Sequence, residues 1–291
     1  MKKIVVILSA VLLSAGIVSA QDFAKATELA KQANESLMAG DFAGAESNFQ
    51  AALQQAAACT EEGAAELVAT CKTGIAQTKY AAVNPLIEAN QWKEALAKLD
   101  EAIKVAKEYG EEELAGKAVE KKGQVLQAAA NAEIKAGSAE KDPQAKAAHF
   151  TDALAYLEAT LAENPTNGKA LMSKGQVLAT LGKKDQAIEA YLLAKENGEE
   201  AAAVKQLSNI YVKDASALLK GGKFKEAIAA AVKSAEYNPQ NANAFKIAGV
   251  ASQKAGDLNG AVEFLSKYLE IKPNDAQIAA AVTAMKAQLK K

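Results

Sequence analysis

Residues 242–273 read ANAFKIAGVASQKAGDLNGAVEFLSKYLEIKP, and this stretch contains the pattern that decides the fold. Its second half has a bulky residue, an alanine three residues later and an apolar residue four residues after that. This spacing occurs six times, and in one copy the first residue is a lysine. The six copies are Phe42/Ala45/Phe49, Trp92/Ala95/Leu99, Phe150/Ala153/Leu157, Lys184/Ala187/Tyr191, Phe224/Ala227/Ala231 and Leu258/Ala261/Leu265. The last two alanines are 34 residues apart. A period near this length is typical of stacked helical arrays, in which no single unit can bury its own apolar face.

Helix start and stop signals divide the chain into helix pairs. Glycines at 40, 222 and 256 suit the turns inside pairs, and prolines at 165, 239 and 273 end second helices. The predicted pairs are 22–39 with 41–58, 62–89 with 91–109, 111–136 with 143–163, 168–181 with 184–196, 199–219 with 223–237, and 242–255 with 258–271. A Gly/Ser/Asp/Pro-containing loop is predicted over 136–143. The predicted fold class is all-α, an α-α superhelix of about six helix pairs closed by a C-terminal capping helix.

The capping helix is predicted over residues 275–290. Asp275 is a good N-cap residue for it. An apolar stripe on one side, with lysines elsewhere, suits the polar-faced helix that ends a repeat array. The predicted stripe is Ile278, Val282, Met285 and Leu289.

The first 20 residues predict export. Lys2 and Lys3 precede an apolar run over 4–18, and a small-residue cleavage site ends at Ala20. A retained membrane anchor is the alternative, although the run is shorter than the roughly 20 apolar residues that span a bilayer. Gln21 stands where a lipoprotein would have cysteine. The expected protein is therefore periplasmic or extracellular, without membrane insertion after signal removal and not a lipoprotein.

Nearly the whole chain after residue 20 resembles the tetratricopeptide repeat family, clearly from about residue 168 onward and more loosely before it. Phe245, Gly249, Ala261, Leu265 and Pro273 stand at that family's large, Gly, Ala, apolar and Pro positions. Leu171, Gly175, Ala187 and Tyr191 match in the preceding regular unit, whereas Ala215 replaces the expected glycine of the next one. Spacings are longer before residue 166, which predicts longer first helices there. The domain division is therefore 1–20 signal peptide, 21–165 irregular repeats, 166–273 regular repeats and 274–291 capping helix.

The resemblance implies a groove lined mainly by first helices, which takes an extended peptide or a partner helix. Lys246 stands at a position like that of the family's carboxylate clamp, but Val250 stands where the clamp asparagine should be. Chaperone-tail binding of that kind is therefore not expected. The groove residues implied are Lys169, Met172, Gln176, Asn209, Val212, Ser216, Asn243, Lys246, Val250 and Gln253.

Composition argues against several other kinds of partner. The chain has 34 basic residues, all of them lysine, against 35 acidic ones. Without residues 1–20 the net charge is about −3. Arginine supplies the planar fork that grips phosphate, so its absence and the acidic balance argue against nucleic acids and anionic membranes.

Residues suited to catalysis or metal binding are sparse. Cys59 and Cys71 are the only cysteines, and their even number in an exported protein predicts a disulfide, with two buried free thiols as the alternative. His149 has no companion at one-turn spacing, so we expect it to be solvated or partly packed. No catalytic, metal or cofactor site is predicted.

The expected function is therefore a non-enzymatic binding scaffold of the cell envelope, holding a protein or peptide in its groove. The alternative is a structural or self-associating module of a larger envelope assembly, in which a homo-oligomer is possible.

Overall fold

A computed structural model describes residues 19–290, and these residues contain helices but no strands. The predicted signal peptide falls outside them except at residues 19 and 20, where the first helix begins. The fourteen helices described are α1 Ser19–Ala39, α2 Phe42–Ala56, α3 Ala64–Ala81, α4 Val83–Glu88, α5 Trp92–Glu108, α6 Glu112–Ala139, α7 Pro143–Glu163, α8 Gly168–Thr180, α9 Lys184–Glu196, α10 Glu200–Lys220, α11 Phe224–Tyr237, α12 Ala242–Lys254, α13 Leu258–Ile271 and α14 Ala276–Gln288. The prediction of an all-α helical repeat is confirmed.

Local sequence signals set most of the helix ends. Gly40, Gly222 and Gly256 have φ angles of 80°, 74° and 82°, so each turn uses the left-handed region as predicted. Asn90 takes the same role between α4 and α5 with a φ of 56°, which asparagine tolerates better than most residues. Asp275 caps α14 by accepting a hydrogen bond from the amide of Ile278.

The predicted loop over 136–143 is wrong, because α6 continues to Ala139 and only residues 140–142 are non-helical. Gly137 lies inside the helix, where a side chain would approach the ring of Phe150 in α7 to about 3.2 Å. The glycine therefore serves close packing between helices rather than a turn.

The predicted helix over 62–89 is divided into α3 and α4 at Ala82. Pro85 explains the division, because it has no amide hydrogen to donate to the carbonyl of Ala81 four residues earlier.

Contacts divide the chain into two compact units, and the division falls between Asn131 and Ala132. In the first unit, α1 packs on α2, α2 on α3 and α3 on α5. In the second, successive helices pack from α7 to α14, with α10 also touching α12. Each unit is thus built from neighbouring antiparallel helices. The predicted boundary at residue 165 separates irregular from regular repeats, and it stays a prediction.

The repeated alanines are fully buried where helices pack together. All six, at positions 45, 95, 153, 187, 227 and 261, are 0% exposed. The apolar residue four positions further on packs against a glycine of an adjacent helix in three units, the following helix for Phe49 and the preceding helix for the other two. These pairs are Phe49 with Gly74, Tyr191 with Gly175 and Leu265 with Gly249. The pattern therefore specifies how closely neighbouring helices approach. No helix within residues 19–290 has the length and apolar character needed to span a membrane.

Candidate partner-binding surface

The ten predicted groove residues lie on α8, α10 and α12, spaced three or four residues apart on each helix. None of them is buried. Lys169, Gln176, Asn209, Asn243 and Gln253 are exposed, and Met172, Val212, Ser216, Lys246 and Val250 are half-buried. The opposite sides of these helices supply the core residues of the second unit. These side chains are thus available to a partner.

The structure brings two of the three groove helices into direct contact. α10 packs on α12, and the Asn241 side chain at the start of α12 donates to the Ser208 hydroxyl of α10 at 2.9 Å. α8 joins them through α9, which packs on both α8 and α10. That the three faces act as one binding groove stays a prediction.

Lys246 is already paired within the chain. Its Nζ lies 3.3 Å from Oδ2 of Asp275, and the Tyr268 hydroxyl donates to the same oxygen at 2.7 Å. The hydrogen bond with Asp275 raises the pKa of the Lys246 ammonium. The Tyr268 hydroxyl and the Ile278 amide hold the pKa of the Asp275 carboxyl below its usual range. Sequence analysis identified Asp275 only as a cap and missed this second contact, because Asp275 is 29 residues from Lys246.

The predicted disulfide is absent from the structure, where Cys59 and Cys71 are both free thiols. The Cys59 thiol donates to the carbonyl of Gln55 at 3.3 Å, so it is directed along its own helix end. Cys71 is buried in the apolar core around Phe49, and burial raises the pKa of its thiol to about 11. A thiol with such a pKa is inert at neutral pH, which makes Cys71 a packing residue.

His149 makes one polar contact, as its Nδ1 lies 2.6 Å from Oε2 of Glu133. This contact joins α7 to α6 and gives the histidine a partly packed environment. Within residues 19–290 no three His, Cys, Asp or Glu side chains are arranged to hold a metal ion. Trp92 is half-buried and packs against the core cluster that contains Val83 and Leu99.

A cleft of about 170 Å³ lies between α7, α8 and α9 and was not predicted. Leu171 and Leu178 line it, and Leu193 beside them is 43% exposed. Its volume is well below the roughly 300–1,000 Å³ of sites that enclose drug-sized ligands, so it suits one apolar side chain at most.

Family models for the tetratricopeptide repeat match residues 144–202 and 218–285. These two segments are tetratricopeptide repeats. The matched residues contain seven of the ten predicted groove positions, and the three on α10, Asn209, Val212 and Ser216, lie between the two matched segments. Tetratricopeptide repeats are a protein-interaction fold and are typically non-catalytic.

Several solved structures are similar to this chain at low identity. A crystal structure of MamA is 21% identical, covering 64% of this chain and 95% of MamA, with a TM-score of 0.36. YrrB, described as a TPR protein with an unusual peptide-binding site, is 22% identical over 71% of this chain and 91% of its own, with a TM-score of 0.31. The first TPR of Spaghetti (RPAP3), bound to an HSP90 peptide, is 21% identical over 43% and 96%, with a TM-score of 0.29. None of the curated proteins matches the sequence significantly.

Proposed function

We propose that this tetratricopeptide-repeat protein is a non-enzymatic scaffold of the cell envelope that holds a protein or peptide partner along the groove faces of α8, α10 and α12. One observation carries the proposal. Each of the three helices directs amide, lysine or small apolar side chains away from the core, and none of the ten is buried. Such a mixture suits recognition of a peptide through hydrogen bonds and shallow apolar contacts.

Site-specific photo-crosslinking in cells tests the groove. Probes at Asn209 and Asn243, both exposed on first helices, are compared with a probe at Lys225, which is exposed on the second helix α11. We expect the two groove probes to capture one dominant protein, identified by mass spectrometry, and the Lys225 probe to miss it. Equal capture from all three positions would contradict a groove-specific scaffold.

Substitution of both asparagines measures their contribution to binding. Asn209→Ala with Asn243→Ala removes two side-chain hydrogen-bonding groups, each contributing about 0.5–1.5 kcal/mol. We expect the purified partner to bind about tenfold more weakly or worse, as measured by calorimetry. Alanine is the better helix former, so the fold should persist. The matched control is Lys225→Ala with Glu226→Ala on α11, for which we expect unchanged affinity.

The envelope location rests on residues 1–20 and has its own test. We expect the protein recovered from cells to begin at Gln21, without a lipid, and to lie in the periplasmic fraction. Intact-mass spectrometry of the fractionated protein measures both the cleavage and the modification. A cytoplasmic protein that retains residues 1–20 would overturn the proposed location while leaving the groove function standing.

A further inference from the structure

The end of the groove at α12 contains a three-residue polar contact drawn from three helices. Lys246 comes from α12, Tyr268 from α13, and Asp275 is the N-cap of α14. Oδ2 of Asp275 accepts from both Lys246 and Tyr268, while Oδ1 accepts from the Ile278 amide at 3.2 Å. The Lys246 ammonium also lies 5.2 Å from the centre of the Tyr268 ring. The carboxylate is therefore fixed from three sides beside the groove lysine.

Capping alone does not require this lysine. Asp257 caps α13 by accepting from the Gly260 amide at 2.9 Å, and the structure records no lysine contact for it within the described residues. Asparagine and aspartate cap helices about equally well. Asp275 thus has two roles: it caps α14, and its negative charge pairs with Lys246.

The Lys246–Asp275 ion pair changes which ligand charges the groove can accept. The Lys246 side chain is 42% exposed, so a ligand can reach it, but its charge is balanced by Asp275. An incoming carboxylate would have to displace Asp275 or lie beside it, and like charges placed together disfavour that partner. A neutral segment that offers carbonyl oxygens meets no such repulsion, and the ammonium has further hydrogens to donate to it.

We propose that Asp275 is a specificity-determining residue that makes the α12 end of the groove select neutral over acidic segments. The inference rests on the proposed groove function and names the chemistry of its ligand. Asp275 acts by forming an ion pair with the Lys246 ammonium, and the Tyr268 hydroxyl holds the Asp275 carboxylate in place by a hydrogen bond.

The test is a charge substitution that preserves the cap, Asp275→Asn. A photo-crosslinking probe at Val250, one helical turn from Lys246, is offered two peptide libraries of equal length. One library contains Asp, Glu and a free C-terminal carboxylate, and the other has Asn, Gln and a C-terminal amide at the same positions. The measured quantity is the ratio of acidic to neutral peptide captured.

We expect the parent protein to favour the neutral library and Asp275→Asn to raise the ratio by about five- to tenfold. Adding Lys246→Gln to Asp275→Asn should abolish the gain, because the freed ammonium is its source. The matched control, Asp257→Asn, changes net charge equally at the neighbouring cap and should leave the ratio within twofold of the parent. Acylation of Lys246 by an amine-reactive ester should also become faster in Asp275→Asn, which reports the unmasking without any peptide.

Two failures are distinguishable. If neutral peptides are captured but the ratio is unchanged in Asp275→Asn, or if Asp257→Asn raises it equally, the specificity role of Asp275 is wrong and the groove function stands. If no variant captures either library at Val250 or at Asn209, the groove function fails and the specificity rule fails with it. Faster acylation in that case would still show that Asp275 masks Lys246.

Discussion

At the scale of single residues, the packing depends on places where a glycine faces a large side chain. A β-carbon at Gly74 would lie 2.4 Å from the Phe49 ring, and one at Gly249 would lie 2.5 Å from Leu265. Both large residues are almost fully buried and cannot move aside. Glycine is required at 74 and 249 because a large side chain of the adjacent helix lies too close for a β-carbon. At Gly40 and Gly256 it is the positive φ angle that favours glycine.

Gly74→Ala should therefore destabilise the first unit, by about 1–3 kcal/mol, because the added methyl overlaps the buried Phe49 ring. The matched control is Gly116→Ala in α6, where nothing lies within 4 Å of the added atom. There we expect a gain of about 0.5–1 kcal/mol from helix propensity. Urea unfolding midpoints measure both changes. If the two substitutions changed the unfolding midpoint equally, helix propensity and not steric overlap with Phe49 would determine the effect on stability.

At the scale of elements, α14 ends the second unit by covering the last helix pair. Val282 and Met285 are buried against Ala261 and Leu265 of α13. The predicted stripe extended to Leu289, but the helix ends at Gln288 and Leu289 is 42% exposed. The apolar contact is therefore shorter than the sequence indicated and depends on Met285 more strongly.

Met285→Lys should release α14, because an unpaired charge would have to be buried in that apolar cluster. In hydrogen exchange followed by mass spectrometry, we expect loss of protection in α13 and α14 while α8 and α9 keep theirs, as nearest-neighbour stability in a repeat array requires. Gln288→Lys introduces the same residue at an exposed position of the same helix and should leave protection unchanged. Loss of protection in every helix of the second unit would contradict nearest-neighbour stability.

At the scale of the whole molecule, contacts run mainly between helices adjacent in sequence, as α8 with α9 and α12 with α13. This explains why a one-dimensional pattern was so informative here: a repeat array makes few long-range contacts that could override local signals. The same reasoning limits what was predictable. A contact between residues far apart in the sequence leaves no trace in the repeat period, so the pattern cannot predict it.

The sequence by itself determined the helical repeat fold, nearly all helix ends and which side chains of α8, α10 and α12 stay out of the core. Glycine turns, proline stops, aspartate caps and three- or four-residue apolar spacing each act over a few residues, so each is readable locally. Only the tertiary structure decided that α6 continues through Gly137, that Cys59 and Cys71 are free thiols, that Leu171 and Leu178 line a cleft, and that Lys246 is held by Asp275. Each of these depends on the distance between separate helices, which residue spacing along the chain does not encode.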